Sequence, residues 1–107
     1  MIEPGPNRVA IVTGAGRPWG VGRATALALA KRGYDVAIVD LREDWAAEAA
    51  EAIVAVGQGS ISIRTDVSKR EDVFAMVDKV LDRFGRIDAL LNVAGINEMT
   101  RTEDFTD

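Results

Sequence analysis

Ten consecutive residues, Thr13-Gly14-Ala15-Gly16-Arg17-Pro18-Trp19-Gly20-Val21-Gly22, carry four glycines between a β-rich run and an Ala/Leu-rich run. A strand enters such a turn and a helix leaves it. The first N–H groups of a helix have no intrahelical partner and carry a partial positive charge. Glycines let that backbone come close to an anion, so the turn reads as a diphosphate site of the dinucleotide-binding kind. The plainer reading is a loop that needs glycine only to turn. The literal G-x-G-x-x-G spacing is absent. So is a P-loop, because no Gly-Lys-Ser/Thr follows.

Other chemistries are excluded by what the chain lacks. It has no histidine and no cysteine. A Ser–His–Asp triad, a Cys–His pair, a thiolate metal site and a disulfide framework are therefore ruled out within it. No metal ligand set and no catalytic group can be named. The single tyrosine, Tyr34, has Ile38 four residues on and reads as structural. Seventeen acidic against thirteen basic residues give a net charge of −4, with no Lys/Arg-rich block, which disfavours nucleic-acid binding. No apolar run reaches membrane-spanning length. Residues 1–7 lack the basic and apolar regions of a signal peptide and read as a flexible arm on a cytoplasmic protein.

The elements that must position the turn alternate regularly along the 107 residues, of which 48% are apolar and 28% charged. Strands are expected at Arg8–Thr13, Asp35–Asp40, Ser60–Thr65 and Ala89–Val93. Helices are expected at Val21–Arg32, Asp44–Val56 and Ser68–Phe84, followed by Gly33, Gly57 and Gly85. The second helix should bury Trp45, Ala49, Ala52, Ile53 and Val56. The third should bury Val73, Val77, Val80, Leu81 and Phe84, with Ser68 and Glu71 as a capping box. Strands apolar on both faces, separated by helices, imply a parallel sheet covered on both sides. The expected fold is α/β: β-α-β-α-β-α-β over residues 8–107, with a doubly wound parallel sheet.

The glycine turn resembles the T-G-x-x-x-G-x-G turn of the short-chain dehydrogenase/reductase family, with Thr13, Gly14, Gly20 and Gly22 at the family positions. Five residues separate Gly14 from Gly20 where the family has three, and the extra two fall around Arg17-Pro18-Trp19. Asp40 at the end of the second strand, Asp66-Val67 after the third, and Asn92-Val93-Ala94-Gly95 at the fourth also match, although Val93 replaces the second Asn of N-N-A-G. The resemblance implies a nicotinamide dinucleotide bound by Gly14, Gly16, Arg17, Trp19, Gly20, Val21, Asp40, Leu41, Asp66, Val67, Asn92, Ala94 and Gly95. Asp40 would hold the adenosine ribose, and Asp66 and Val67 the adenine. Asn92 would tie neighbouring strand ends. A carboxylate accepts hydrogen bonds from a ribose diol and repels a 2′-phosphate by about 4 kcal/mol at ~4 Å and an effective dielectric near 20. NAD is thus expected over NADP, with Arg42 a competing signal. Trp19 could cover the cofactor or simply pack against a neighbouring loop.

The same resemblance implies the first, Rossmann-like half of the family fold, with strand order 3-2-1-4, and an oxidoreductase that moves a hydride between the nicotinamide and an alcohol or ketone. The family's Tyr-x-x-x-Lys pair, Ser and catalytic Asn have no counterparts here. Three readings stay open: the cofactor half of an enzyme, an inactive dinucleotide-binding fragment, and a Rossmann-like interaction module. Ala89–Val93 carries no edge-blunting charge or proline. Its expected partners are a further copy of the chain, as a homo-oligomer, or the remainder of its own fold.

Overall fold

A computed structural model describes residues 4–93. The expected sites Ala94 and Gly95 lie outside the described residues. Strands β1 (Val9–Thr13), β2 (Asp35–Asp40), β3 (Ser60–Arg64) and β4 (Ala89–Asn92) alternate with helices α1 (Val21–Lys31), α2 (Glu43–Ala55) and α3 (Arg70–Phe84). All strand pairs are parallel, in the order β3-β2-β1-β4. The parallel sheet is the one expected from the alternation of elements, and its order is the Rossmann order that the resemblance implies.

Period-two side-chain placement divides the apolar strands between two cores. Val12, Val36 and Ile38 face α1 and α2, packing with Ala26, Ala30, Ala46, Ala49 and Ile53. Val9, Ile11, Ala37, Val39 and Ile63 face α3, packing with Met76, Val80 and Phe84. β1 is buried along its whole length. Alanines on α1 and α2 let those helices lie close to the sheet.

The register sets Thr13 beside both Val39 and Asn92, and Asp40 beside Arg64. Parallel pairing therefore gathers the carboxyl ends of all four strands at one end of the sheet. That is where ligands bind in open α/β sheets. At the opposite end, Gly5 N donates to Phe84 O at 3.3 Å and Asn7 Nδ2 to Asp35 Oδ1 at 3.3 Å, which attaches the start of the described chain.

Three expectations about the helices are corrected. The buried face of α2 comprises Ala46, Ala49, Ala50 and Ile53. Val56 is exposed and Trp45 only half-buried, because the small alanines, not the largest apolar residues, meet the sheet. On α3 the buried residues are Met76, Val80 and Phe84, with Val73 and Val77 at the margin and Leu81 half-buried. The capping box does not form. Lys69 is the N-cap, and no side chain bonds there. Ser68 Oγ and N instead donate to Asp66 Oδ1 at 2.6 and 3.0 Å, a local turn that competes with the cap. Gly85 (φ 76°) does close α3 as expected, with its N–H on Leu81 O at 2.8 Å.

Candidate functional site

The chain leaves β1 at Thr13 and turns on Gly14, whose φ of 67° lies in the left-handed region that glycine adopts without penalty. Ala15 N then donates to Val39 O at 3.3 Å, which carries the turn across the end of β2. Gly16 is buried where the turn meets α2. A Cβ there would stand 3.0 Å from both Asp40 Oδ2 and Trp45 Cβ, and 3.1 Å from Ala46 N. Arg17 to Gly20 make a tight turn, with Gly20 N donating to Arg17 O at 3.0 Å. Gly20 is the N-cap of α1. It offers no side-chain cap, and the first turn holds no acidic residue. By contrast α2 and α3 begin with Glu43-Asp44 and Glu71-Asp72. Gly22 lets this helix start lie against the turn, since a Cβ would overlap Gly14 O and come within 2.9 Å of Ala15 Cα.

Asp40 is the centre of the site. Its Oδ2 accepts from Gly16 N at 2.9 Å and its Oδ1 from Arg42 N at 3.0 Å. One carboxylate thus joins the glycine turn to the exit of β2. A cleft opens beside it over the ends of β1, β2 and β3, lined by Gly14, Arg17, Val39, Asp40, Leu41, Trp45, Thr65, Asp66 and Val67. Leu41 and Val67 are 56% and 45% exposed, so two apolar side chains are available to a planar ligand. Asp66 accepts from Ser68, and those hydrogen bonds hold its carboxyl below the usual carboxylate range. It stays ionised and can accept from an amino group.

The expected site residues are brought together unevenly. Gly14, Arg17, Asp40, Leu41, Asp66 and Val67 line the cleft, and Gly16 borders it through its bond to Asp40. Gly20 and Val21 sit apart at the start of α1. Asn92 lies beyond β1, where its Oδ1 accepts from Thr13 Oγ1 at 2.8 Å and links the ends of β1 and β4. Trp19 is 78% exposed and packs edge-on against Trp45, with centroids 6.2 Å apart.

Four participants escaped the sequence reading. Trp45, expected in the core, is a cleft wall. Val39 lines the cleft from within β2. Thr65 is buried and lines the cleft, and among the described residues its Oγ1 has no hydrogen-bond partner. Arg23 on α1 donates to Gly16 O at 2.6 Å, Trp45 O at 3.1 Å and Glu48 Oε1 at 2.7 Å. No spacing rule marks Arg23, because its partners come from other elements. Thr65 was legible only as the last residue of an alternating strand.

A dinucleotide fits these residues. Gly16 lets the turn lie close against Asp40 and the start of α2, Asp40 presents a carboxylate to the cleft, and the buried Thr65 hydroxyl has no partner among the described residues. The uncapped start of α1 follows the same turn.

Comparison with known proteins agrees with this fold. The family model described as short chain dehydrogenase matches residues 8–107. A short-chain dehydrogenase/reductase from Armillaria gallica is 45% identical over 106 residues, covering 92% of this chain and 40% of that protein. A 3-oxoacyl-[acyl-carrier-protein] reductase from Synechocystis is 43% identical over 94 residues, covering 87% of this chain and 37% of that one. The crystal structure of a short chain dehydrogenase/reductase from Burkholderia phymatum in complex with NAD superposes with a TM-score of 0.74 at 37% identity. It covers 84% of this chain and 31% of that one. The chain thus spans 40% or less of the length of these relatives.

Proposed function

Because the chain belongs to the short chain dehydrogenase family, we propose that it supplies the cofactor-binding half of an oxidoreductase and that its cofactor is NAD rather than NADP. The observation that carries the choice is Asp40. Its carboxylate ends β2, lines the cleft, and is fixed by Gly16 N and Arg42 N. Ribose hydroxyls can donate to it, and a 2′-phosphate meets its charge. Arg42, the competing signal for NADP, is paired with Asp44.

In this reading Leu41 and Val67 hold the adenine between them and Asp66 accepts from its amino group. The diphosphate lies along the turn at the Gly20–Gly22 helix start, where the Gly20 N–H is held by Arg17 O and the Val21 N–H opens the positive end of α1, which has no acidic neighbour in its first turn. The Thr13–Asn92 bond steadies the strand ends on the nicotinamide side. When bound, the nicotinamide accepts or donates the hydride, and the substrate is a small alcohol or ketone. The proton carrier is not in this chain, which has no Tyr-x-x-x-Lys, histidine or cysteine. Turnover therefore needs the Tyr and Lys of a family-length protein, and these 107 residues alone bind without reacting. The setting is cytoplasmic; among the described residues no helix is long and apolar enough to cross a membrane. β4 is the outer strand of the described sheet, with Leu90 61% exposed. It pairs with the remainder of the fold or with a second copy.

Calorimetric titration of NAD⁺ and NADP⁺ into wild type and Asp40→Ala tests the assignment. NAD⁺ should bind more tightly to wild type, and the variant should lose that preference by tenfold or more, about 1.4 kcal/mol. An unchanged NAD⁺/NADP⁺ ratio in the variant would sink it.

A further inference from the structure

Arg42 follows the cleft residues Asp40 and Leu41 directly, yet its guanidinium is engaged elsewhere. Its Nε and Nη2 donate to Asp44 Oδ1 and Oδ2 at 3.1 and 2.8 Å, the two-pronged geometry in which arginine matches a carboxylate best. Its Cζ stands 4.0 Å from the centroid of Trp45, close enough for attraction by the ring face. Trp45 is itself a wall of the cleft and is met edge-on by Trp19. The Arg42 backbone N–H, meanwhile, is on Asp40 Oδ1. A cation two residues from the proposed ribose ligand is thus turned onto the first turn of α2.

We propose that Asp44 is a positioning residue for cofactor choice: it latches Arg42 onto the face of Trp45 and so withholds that cation from the 2′-phosphate of NADP. The inference rests on reading the cleft as the adenosine site. A 2′-phosphate at Asp40 needs a nearby cation to offset the repulsion. Recruiting Arg42 breaks two charge-assisted hydrogen bonds and its contact with the ring. Both partners of the ion pair are more than half exposed, and exposed pairs are individually weak. The latch therefore tilts the preference without forbidding NADP. Removing it should shift the ratio about threefold, the scale of one exposed ion pair.

The test is calorimetric titration of NAD⁺ and NADP⁺ into the protein carrying this sequence and three variants. Asp44→Asn should raise the NADP⁺/NAD⁺ affinity ratio about threefold, with the gain shrinking as salt rises. Asp44→Glu, which keeps a carboxylate, should bring the ratio back toward wild type. Adding Arg42→Ala to Asp44→Asn should abolish the gain. An unchanged ratio in Asp44→Asn overturns the latch while leaving the adenosine site standing. So does a gain that survives Arg42→Ala, because it then comes from the lost negative charge alone. A wild-type protein that binds neither dinucleotide overturns the adenosine site, and the latch with it.

Discussion

Arg23 Nη2 donates to Gly16 O at 2.6 Å, so a charged side chain on the first helix grips the carbonyl of the glycine turn. The same nitrogen reaches Trp45 O at 3.1 Å, and Nη1 reaches Glu48 at 2.7 Å. The Arg23 side chain is only 11% exposed. On the other side of Gly16, its N–H is held by Asp40. Both polar groups of one glycine are thereby committed, one to a cation on α1 and one to the carboxylate at the end of β2. The turn is fixed before any ligand arrives, which lowers the ordering cost of binding.

Arg23→Met should remove this grip while keeping most of the apolar stem. Two backbone carbonyls lose a donor, at a cost of about 1–3 kcal/mol. Arg23→Lys should recover little of it, since an ammonium is a compact charge without the planar fork that spans separated acceptors. Urea denaturation of the two variants beside wild type measures both effects. Equal stability of all three would show that the grip contributes nothing.

Gly22→Ala should destabilise the fold although alanine is the better helix former. The helix gains about 1 kcal/mol from the exchange. The new Cβ overlaps the carbonyl of Gly14, however, and backbone cannot move aside as a flexible side chain can. Overpacking costs about 1–3 kcal/mol, and more where neighbours are rigid. A lower thermal midpoint is expected. A raised midpoint would mean that α1 and the turn are not packed as described.

Asp88 should contribute stability that acid removes. Its carboxyl is held below the usual carboxylate range, first by Arg86 and then by Val9 N–H at 2.8 Å. A carboxylate whose pKa is depressed on folding stabilises the native state above its unfolded pKa. That contribution disappears as pH falls through the folded value. The difference in denaturation midpoint between wild type and Asp88→Asn should be full at neutral pH and shrink below about pH 4. A difference that does not change between pH 7 and pH 3 would contradict this.

Much of the fold was legible because its signals are local. The run Asp35–Asp40 is apolar between two acidic ends and has those same bounds in the structure. The glycine turn announces both the end of β1 and the start of α1. Asp40 could be singled out because it ends the second strand, where the family resemblance places an acidic residue. What failed depended on competition between neighbours. The Asp66 side chain took the Ser68 hydroxyl that a capping box would use. Trp45 looked like core because it is large and opens a helix. The sheet instead selected alanines one position on, and left the indole to Arg42 and Trp19. Arg23 was invisible for a different reason. Its acceptors are 7, 22 and 25 residues away, and only the folded chain brings them together.

The two tryptophans in the sequence both lie at this site, which gives binding an intrinsic optical signal. Trp45 lines the cleft and Trp19 packs on it. Addition of NADH should quench the emission of both through energy transfer to the nicotinamide. Trp19→Phe should remove the more exposed share of the signal while retaining a saturable response from Trp45. A quench that rises linearly without saturating would mark it as nonspecific.

The most direct measurement is a residue-resolved amide shift map of the ¹⁵N-labelled protein titrated with NAD⁺. The account predicts saturable shifts concentrated at Gly14–Gly22, at Asp40 and Leu41, and at Asp66 and Val67. Residues at the far end of the sheet, such as Gly59 and Gly85, should stay still. Shifts that leave Gly16, Asp40 and Val67 unmoved, or that cluster at the far end, would contradict the placement of the cofactor at the carboxyl ends of the strands.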